Sequence, residues 1–177
     1  MAILPIVLFP DPVLLEPTKP VGEIDDEIRQ LVSDMEETMY AAPGVGLAAN
    51  QVGVGKRLCL VNVTAGDDPS QLMVLIDPVI HERSSQTEVG EEGCLSFPDV
   101  LIDVHRSLTI EVEATDLEGN RRRWTEEGFT ARVIQHEVEH LDGKVFIGNI
   151  SPLKREMIKR KIKKRIEAGD WESAPVS

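Results

Sequence analysis

Val133-Ile134-Gln135-His136-Glu137-Val138-Glu139-His140-Leu141 carries the most specific pattern in the chain. Residues four apart on a helix share one face, so His136 and His140 can reach a single metal ion. Glu137 follows the first histidine and can address a water at that ion. This is the H-E-x-x-H arrangement, in which the glutamate serves as general base. Two of the chain's four histidines fall in it, flanked by apolar Val133, Ile134, Val138 and Leu141. That flanking favours a core helix over an exposed one that carries His and Glu by chance. The helix is expected from about Glu126 to His140, with Gly143 stopping it.

Working outward, residues 24–42 place Ile24, Ile28, Leu31, Met35 and Met39 at spacings of three and four, an amphipathic helix ended by Pro43-Gly44. The small residues from Gly44 to Gly53 let backbone approach a ligand or another strand closely. Residues 58–63 and 72–80 read as strands, with a loop over 66–70. Alternation over 100–114 predicts a half-buried strand, and 121–125 should pair back after the turn at 117–120. Ser151-Pro152 opens a third helix, as N-cap and first-turn proline. Its apolar stripe is Leu153, Met157, Ile158, Ile162 and Ile166. The order is helix, several strands, central helix, short strand, helix. The expected class is α+β, antiparallel and mixed strands packed around a central metal-binding helix, with a C-terminal helix. Residues 1–150 form the expected catalytic core. Residues 151–177 form a basic helix and tail within the same single domain.

The 177 residues, 41% of them hydrophobic, suit one core. No apolar run approaches the ~18 residues that span a bilayer, so no membrane partner is expected. The opening Met1-Ala2-Ile3-Leu4-Pro5-Ile6 reads as neither a signal nor a transit peptide, and a cytoplasmic location is the default. Two cysteines, Cys59 and Cys94, argue against a disulfide framework. Net charge is −12, yet Lys154, Arg155, Lys159, Arg160, Lys161, Lys163, Lys164 and Arg165 crowd the third helix. A polyanionic partner for that helix and a merely solvated face both fit.

A catalytic metal site needs a third protein ligand and an open position. A histidine six residues past His140 is excluded, because position 146 is Phe. Glu156 is available but lies in the basic helix. Cys94, in Gly90-Glu91-Glu92-Gly93-Cys94-Leu95-Ser96-Phe97-Pro98, offers a thiolate suited to soft or borderline metals. Cys59, inside Leu58-Cys59-Leu60-Val61, fits a buried small hydrophobe better.

Three segments together resemble the peptide deformylases. They are Gly44-Val45-Gly46-Leu47-Ala48-Ala49-Asn50-Gln51, then Glu92-Gly93-Cys94-Leu95-Ser96, then Gln135-His136-Glu137-Val138-Glu139-His140. They occur in the family's order. The resemblance, to the shorter bacterial type, implies that Cys94, His136 and His140 hold one metal ion, with water in the fourth position. Iron(II) is the implied metal, with zinc, nickel or cobalt able to occupy purified protein. Glu137 is implied as proton carrier, and Gln51 with the backbone N–H of Leu95 as oxyanion donors. Gly46 is implied to meet substrate through its backbone, and Glu92 and Arg106 to form a buried pair bracing the Cys94 segment. Val45 and Val133 are the candidates for lining a methionine slot. The implied substrates are N-formylmethionyl nascent peptides, with the ribosome surface as a partner of the basic helix and no role for DNA. Two departures stand out: Glu139 replaces the family's usual Asp, and Leu101 stands where some relatives carry Arg. A zinc peptidase and a catalytically silent metal-binding module are the alternatives. Glu137 and Gln51 argue against the silent module, because neither is needed to bind metal.

Overall fold

The computed structural model describes residues 2–173. Asp25 caps α1 (Asp26–Ala41) by accepting the Ile28 N–H at 3.0 Å, and Ile28, Val32, Met35 and Met39 bury one face of it. The strands are β1 (Gly46–Ala48), β2 (Leu58–Val61), β3 (Met73–Arg83), β4 (Thr87–Cys94), β5 (Phe97–Ser107), β6 (Thr109–Thr115) and β7 (Arg121–Glu127). Helices α2 (Gly128–Leu141) and α3 (Pro152–Ala168) follow. The class is α+β, as expected.

Two sheets form. One has the order β1-β2-β3-β6-β7, and the other is the β4-β5 hairpin. Their strand pairs are all antiparallel; the parallel pairing among the described residues is a single bridge, Lys19 to Lys56. Strand β2 is buried along its whole length because successive residues face opposite layers. Leu58 and Leu60 pack with Ile28, Val32, Met35 and Met39 of α1. Cys59 and Val61 pack with Ala131, Ile134 and Val138 of α2. The large sheet is thus held between α1 and α2, and the motif helix sits in the core.

Three features of the fold differ from what the sequence pattern predicts. The pattern over 100–114 is two strands, not one. Strand β5 pairs with β4, and the chain then crosses to β6 in the other sheet. Alternation persists through Ser107 and Leu108, so periodicity alone does not reveal the change of sheet. The short strand expected between the central and last helices is a 3-10 turn, Phe146–Asn149. The stripe on α3 is mostly uncovered. Ser151 caps the helix as expected and Gly169 ends it at φ 73°. Of the five stripe residues only Ile162 is buried and Ile158 half-buried, while Leu153, Met157 and Ile166 are exposed. The last four residues of the tail expected over 151–177 lie outside the described residues.

A third cluster ties the N-terminal segment to β5 and α3. Phe9 stacks on Phe97 at 4.8 Å, Phe97 meets Phe146 edge-on at 5.0 Å, and Ile162 joins them. Phe146 in turn lies 5.5 Å from the His136 ring. Cys94 and Val100, at the β4-β5 turn, pack against this cluster.

Candidate metal centre and active site

Helix periodicity places His136 and His140 on one face of α2, their rings 5.0 Å apart. The third member comes from the end of β4. The hairpin register shifts between the Glu92–Ile102 and Cys94–Phe97 pairs, so Cys94 stands where the regular ladder ends. Cys94 Sγ then lies 3.2 Å from His140 Nε2. One donor atom each from Cys94, His136 and His140 falls within 4.8 Å of the others. Nitrogen and sulfur donors on a tetrahedral ion lie about 3.5 Å apart, so the cluster has the size a single divalent metal requires. The other cysteine, Cys59, is fully buried, and burial pushes its thiol well above the ordinary range. It is a core residue, as its apolar surroundings suggest.

A carboxylate orients the first histidine. Glu92 Oε1 is 2.9 Å from His136 Nδ1, which leaves Nε2 to face the sulfur. Arg106 also grips Glu92, with Nε and Nη2 each donating at 2.9 Å. Burial alone would raise the Glu92 carboxyl. The hydrogen bonds from His136 and Arg106 overcome it and hold the group down at about 2. Arg106 also pairs with Glu139, whose other oxygen accepts from Asn149 Nδ2 at 2.6 Å. The longer side chain in place of Asp therefore bridges β5 and the 146–149 turn.

Glu137 is buried, and its Oε2 has no protein hydrogen-bond partner. Its other oxygen is 3.8 Å from His136 Nε2. Burial pushes its carboxyl up to about 7, against the pull of His136. An unpartnered buried carboxylate beside a Cys/His/His cluster is what a proton-bearing ligand at that cluster calls for. The donor set and this orphaned oxygen together fit a divalent metal.

Gln51 joins the site from the short 3-10 turn after β1. Its Oε1 accepts the Ala48 N–H at 3.0 Å, and its Nε2 lies 3.1 Å from Ser96 Oγ and 3.5 Å from Cys94 Sγ. The amide is thus both a loop cap and a fixed donor beside the sulfur. Gly46 lies against Glu137: a Cβ there would come within 2.9 Å of the Glu137 side chain and 3.0 Å of Val133. The small residues at 44–53 do allow a close approach, here to side chains of α2. A cavity of about 510 Å³ opens onto the cluster, and Val45, Gly46, Leu95 and Val133 line it. Leu101 and Phe129, both more than half exposed, stand on the same cavity.

Sequence reasoning missed Arg132. It is buried on α2, donating to Glu92 Oε2 at 2.7 Å, to the Val104 carbonyl at 2.9 Å and to the Glu88 carbonyl at 2.7 Å. Its place four residues before His136, on the same face, is the one signal for it in the sequence. Asn50 was also missed as a site residue. Its amide donates to the His140 carbonyl at 2.6 Å and ties the Gly-rich segment to α2.

Residues 3–156 match the family model described as polypeptide deformylase. The chain belongs to that family. Deformylases similar to it include one from Acidobacterium capsulatum, 46% identical over 97% of this chain and 100% of the relative. Another, from Cellvibrio japonicus, is 48% identical over 96% of this chain and 99% of the relative. Among solved structures, a peptide deformylase from Legionella pneumophila matches with TM-score 0.86 at 39% identity, covering 94% of this chain and 98% of that one. A peptide deformylase from Ehrlichia chaffeensis in complex with actinonin matches with TM-score 0.85 at 38% identity, covering 93% and 98%. Deformylase membership and the metal-ready cluster make the chain a metal-dependent amide hydrolase that removes N-formyl groups.

Proposed function

We propose that this hydrolase acts on the formylated initiator methionine of newly made proteins, with Glu137 as its proton carrier. The observation that carries the reading is the buried, unpartnered Glu137 oxygen beside the Cys94, His136 and His140 cluster at the cavity. A divalent ion held by those three residues would supply a Lewis acid that acidifies water and polarises the formyl carbonyl. Glu137 would accept the proton of the attacking water and return it to the leaving amine. Burial raises the carboxyl's hold on a proton, which suits its return to the leaving amine. Gln51 Nε2 and the Leu95 N–H would bind the oxyanion; losing one such donor typically costs about 3–4 kcal/mol in the barrier. Gly46 belongs to β1, an edge strand of its sheet, which supports a role for its backbone in holding peptide. Val45 and Val133 would line the methionine slot.

The decisive assay offers metal-loaded protein formyl-Met-Ala-Ser beside the unformylated peptide. Formate release from the first alone is expected. Cleavage of a peptide bond, or no formate, would sink the reading. A thiolate with two imidazoles is a soft-to-borderline set that does not choose among iron, zinc, nickel and cobalt; we favour iron(II) on the family resemblance. Metal analysis of anaerobically purified protein checks this.

The basic helix supports a second partner, the ribosome surface, which would set the work in the cytoplasm. Lys154, Lys159, Arg160, Lys161, Lys163 and Lys164 are exposed, whereas Arg155 and Arg165 are half-buried and bond backbone carbonyls of the body. Because Ile162 is buried, we treat α3 as part of one domain with residues 1–150 rather than a detachable tail. Charge substitutions therefore test docking better than truncation does. Changing Lys159, Lys161 and Lys163 to Glu should reduce co-sedimentation with ribosomes and flatten its salt dependence. Unchanged co-sedimentation would remove this partner.

A further inference from the structure

Arg165 stands near the end of α3, and its guanidinium is turned toward the body of the protein. Nη1 donates to the Pro98 carbonyl at 3.0 Å and lies 3.3 Å from Asp99 Oδ2. Nη2 donates to the Asp170 carbonyl at 3.0 Å, and the guanidinium carbon sits 5.0 Å over the Trp171 ring. Trp171 Nε1 donates to the Phe9 carbonyl at 2.7 Å. The Phe9 N–H in turn donates to the Ser96 carbonyl at 3.0 Å. The C-terminal segment thus grips the turn after Cys94 at two points, Ser96 through Phe9 and Pro98-Asp99 directly.

Pro98, Asp99, Val100 and Leu101 line the substrate cavity. Asp99 adopts φ 63°, a left-handed conformation that aspartate tolerates but does not favour, so its backbone needs holding. The Asp99 side chain is 84% exposed, and such an ion pair is worth little alone. The bond to the Pro98 carbonyl and the stacking on Trp171 are the firmer anchors.

We propose that Arg165 is a positioning residue for the outer wall of the substrate cavity, so that the end of α3 governs substrate binding. The inference rests on the deformylase reading of this cavity. Arg165 touches neither the metal cluster nor Glu137, so its loss should act on binding and not on the chemical step. It also means that anything seated on α3 has a physical route to the cavity wall.

The experiment compares Arg165→Ala and Arg165→Lys with the unaltered full chain, in steady-state kinetics on formyl-Met-Ala-Ser and in amide hydrogen exchange. For Arg165→Ala, KM should rise about tenfold, the order expected when one charge-assisted hydrogen bond is lost, with kcat nearly unchanged. The amides of Asp99, Val100 and Leu101 should exchange faster while those of α2 do not. Arg165→Lys should fall between, because one ammonium keeps the charge but cannot hold the Pro98 and Asp170 carbonyls in a planar fork. Unchanged KM with unchanged exchange at 99–101 would overturn the proposal. So would a fall in kcat at constant KM with exchange rising throughout, which marks general destabilisation. If the unaltered chain releases no formate, the deformylase reading fails instead, and exchange at 99–101 alone decides the clamp.

Discussion

In α2, the polar residues Arg132, Gln135, His136, Glu137 and His140 are buried, whereas in α3 the apolar residues Leu153, Met157 and Ile166 are exposed. Both helices therefore depart from the ordinary sorting of side chains. They do so for opposite reasons. Helix α2 is covered by the sheet on one side and the β4-β5 hairpin on the other, so every polar atom it carries needs a partner. Glu92, Arg106, Ser107 and backbone carbonyls supply most of them. Helix α3 meets the body along a narrow line through Ile158 and Ile162, and among the described residues Leu153, Met157 and Ile166 are left exposed. A buried polar residue is the costly one to leave unmatched, and so the more informative about function.

The contrast can be broken most sharply at Glu137. Replacing it with Ala should lower kcat by about 10⁴-fold, the upper range for a positioned acid–base group, while the protein still binds one metal ion. Steady-state kinetics with metal stoichiometry checks this; retained turnover would reduce Glu137 to a packing residue. Next in size is Arg106→Ala, which leaves buried Glu92 and half-buried Glu139 short of a partner. Breaking such a pair typically costs about 3–5 kcal/mol, so Tm should drop by about 6–20 °C. An unchanged melting curve would mean that Arg132 and His136 suffice for Glu92. The smallest effects belong to α3. Ile162→Ala should cost about 2–4 kcal/mol as a core cavity. Leu153→Ser, on an exposed position of the same stripe, should stay within about 0.5 kcal/mol. Equal losses from the two would show that the stripe is packed after all.

The site was legible where one helix carries it. His136, Glu137 and His140 lie within five consecutive residues of one helix, and the common face of the two histidines follows from 3.6-residue periodicity alone. Arg132 was missed although it stands four residues before His136 on the same face, because in sequence it looks like any solvated cation. Cys94 was legible only through its unusual neighbours and the resemblance. Its approach to His140 joins the end of β4 to a helix 46 residues further along the chain, which no local pattern encodes. The change of sheet between β5 and β6 was not legible, because alternating residues read the same in either sheet.

By itself the amino-acid order determined the local geometry: the extent of α1 and α2, the capped start of α3, and the shared face of the two histidines. These depend on torsional periodicity and on donors within a few residues, which neighbours in the chain supply. The folded arrangement alone decided that Glu92 serves His136, Arg106 and Arg132 together, that Gln51 faces the sulfur, and that Arg165 holds the cavity wall. Those partners lie far apart along the chain. Whether a charge is paired or a methyl group covered depends on which surfaces the sheet and helices bring together, and no local spacing encodes that.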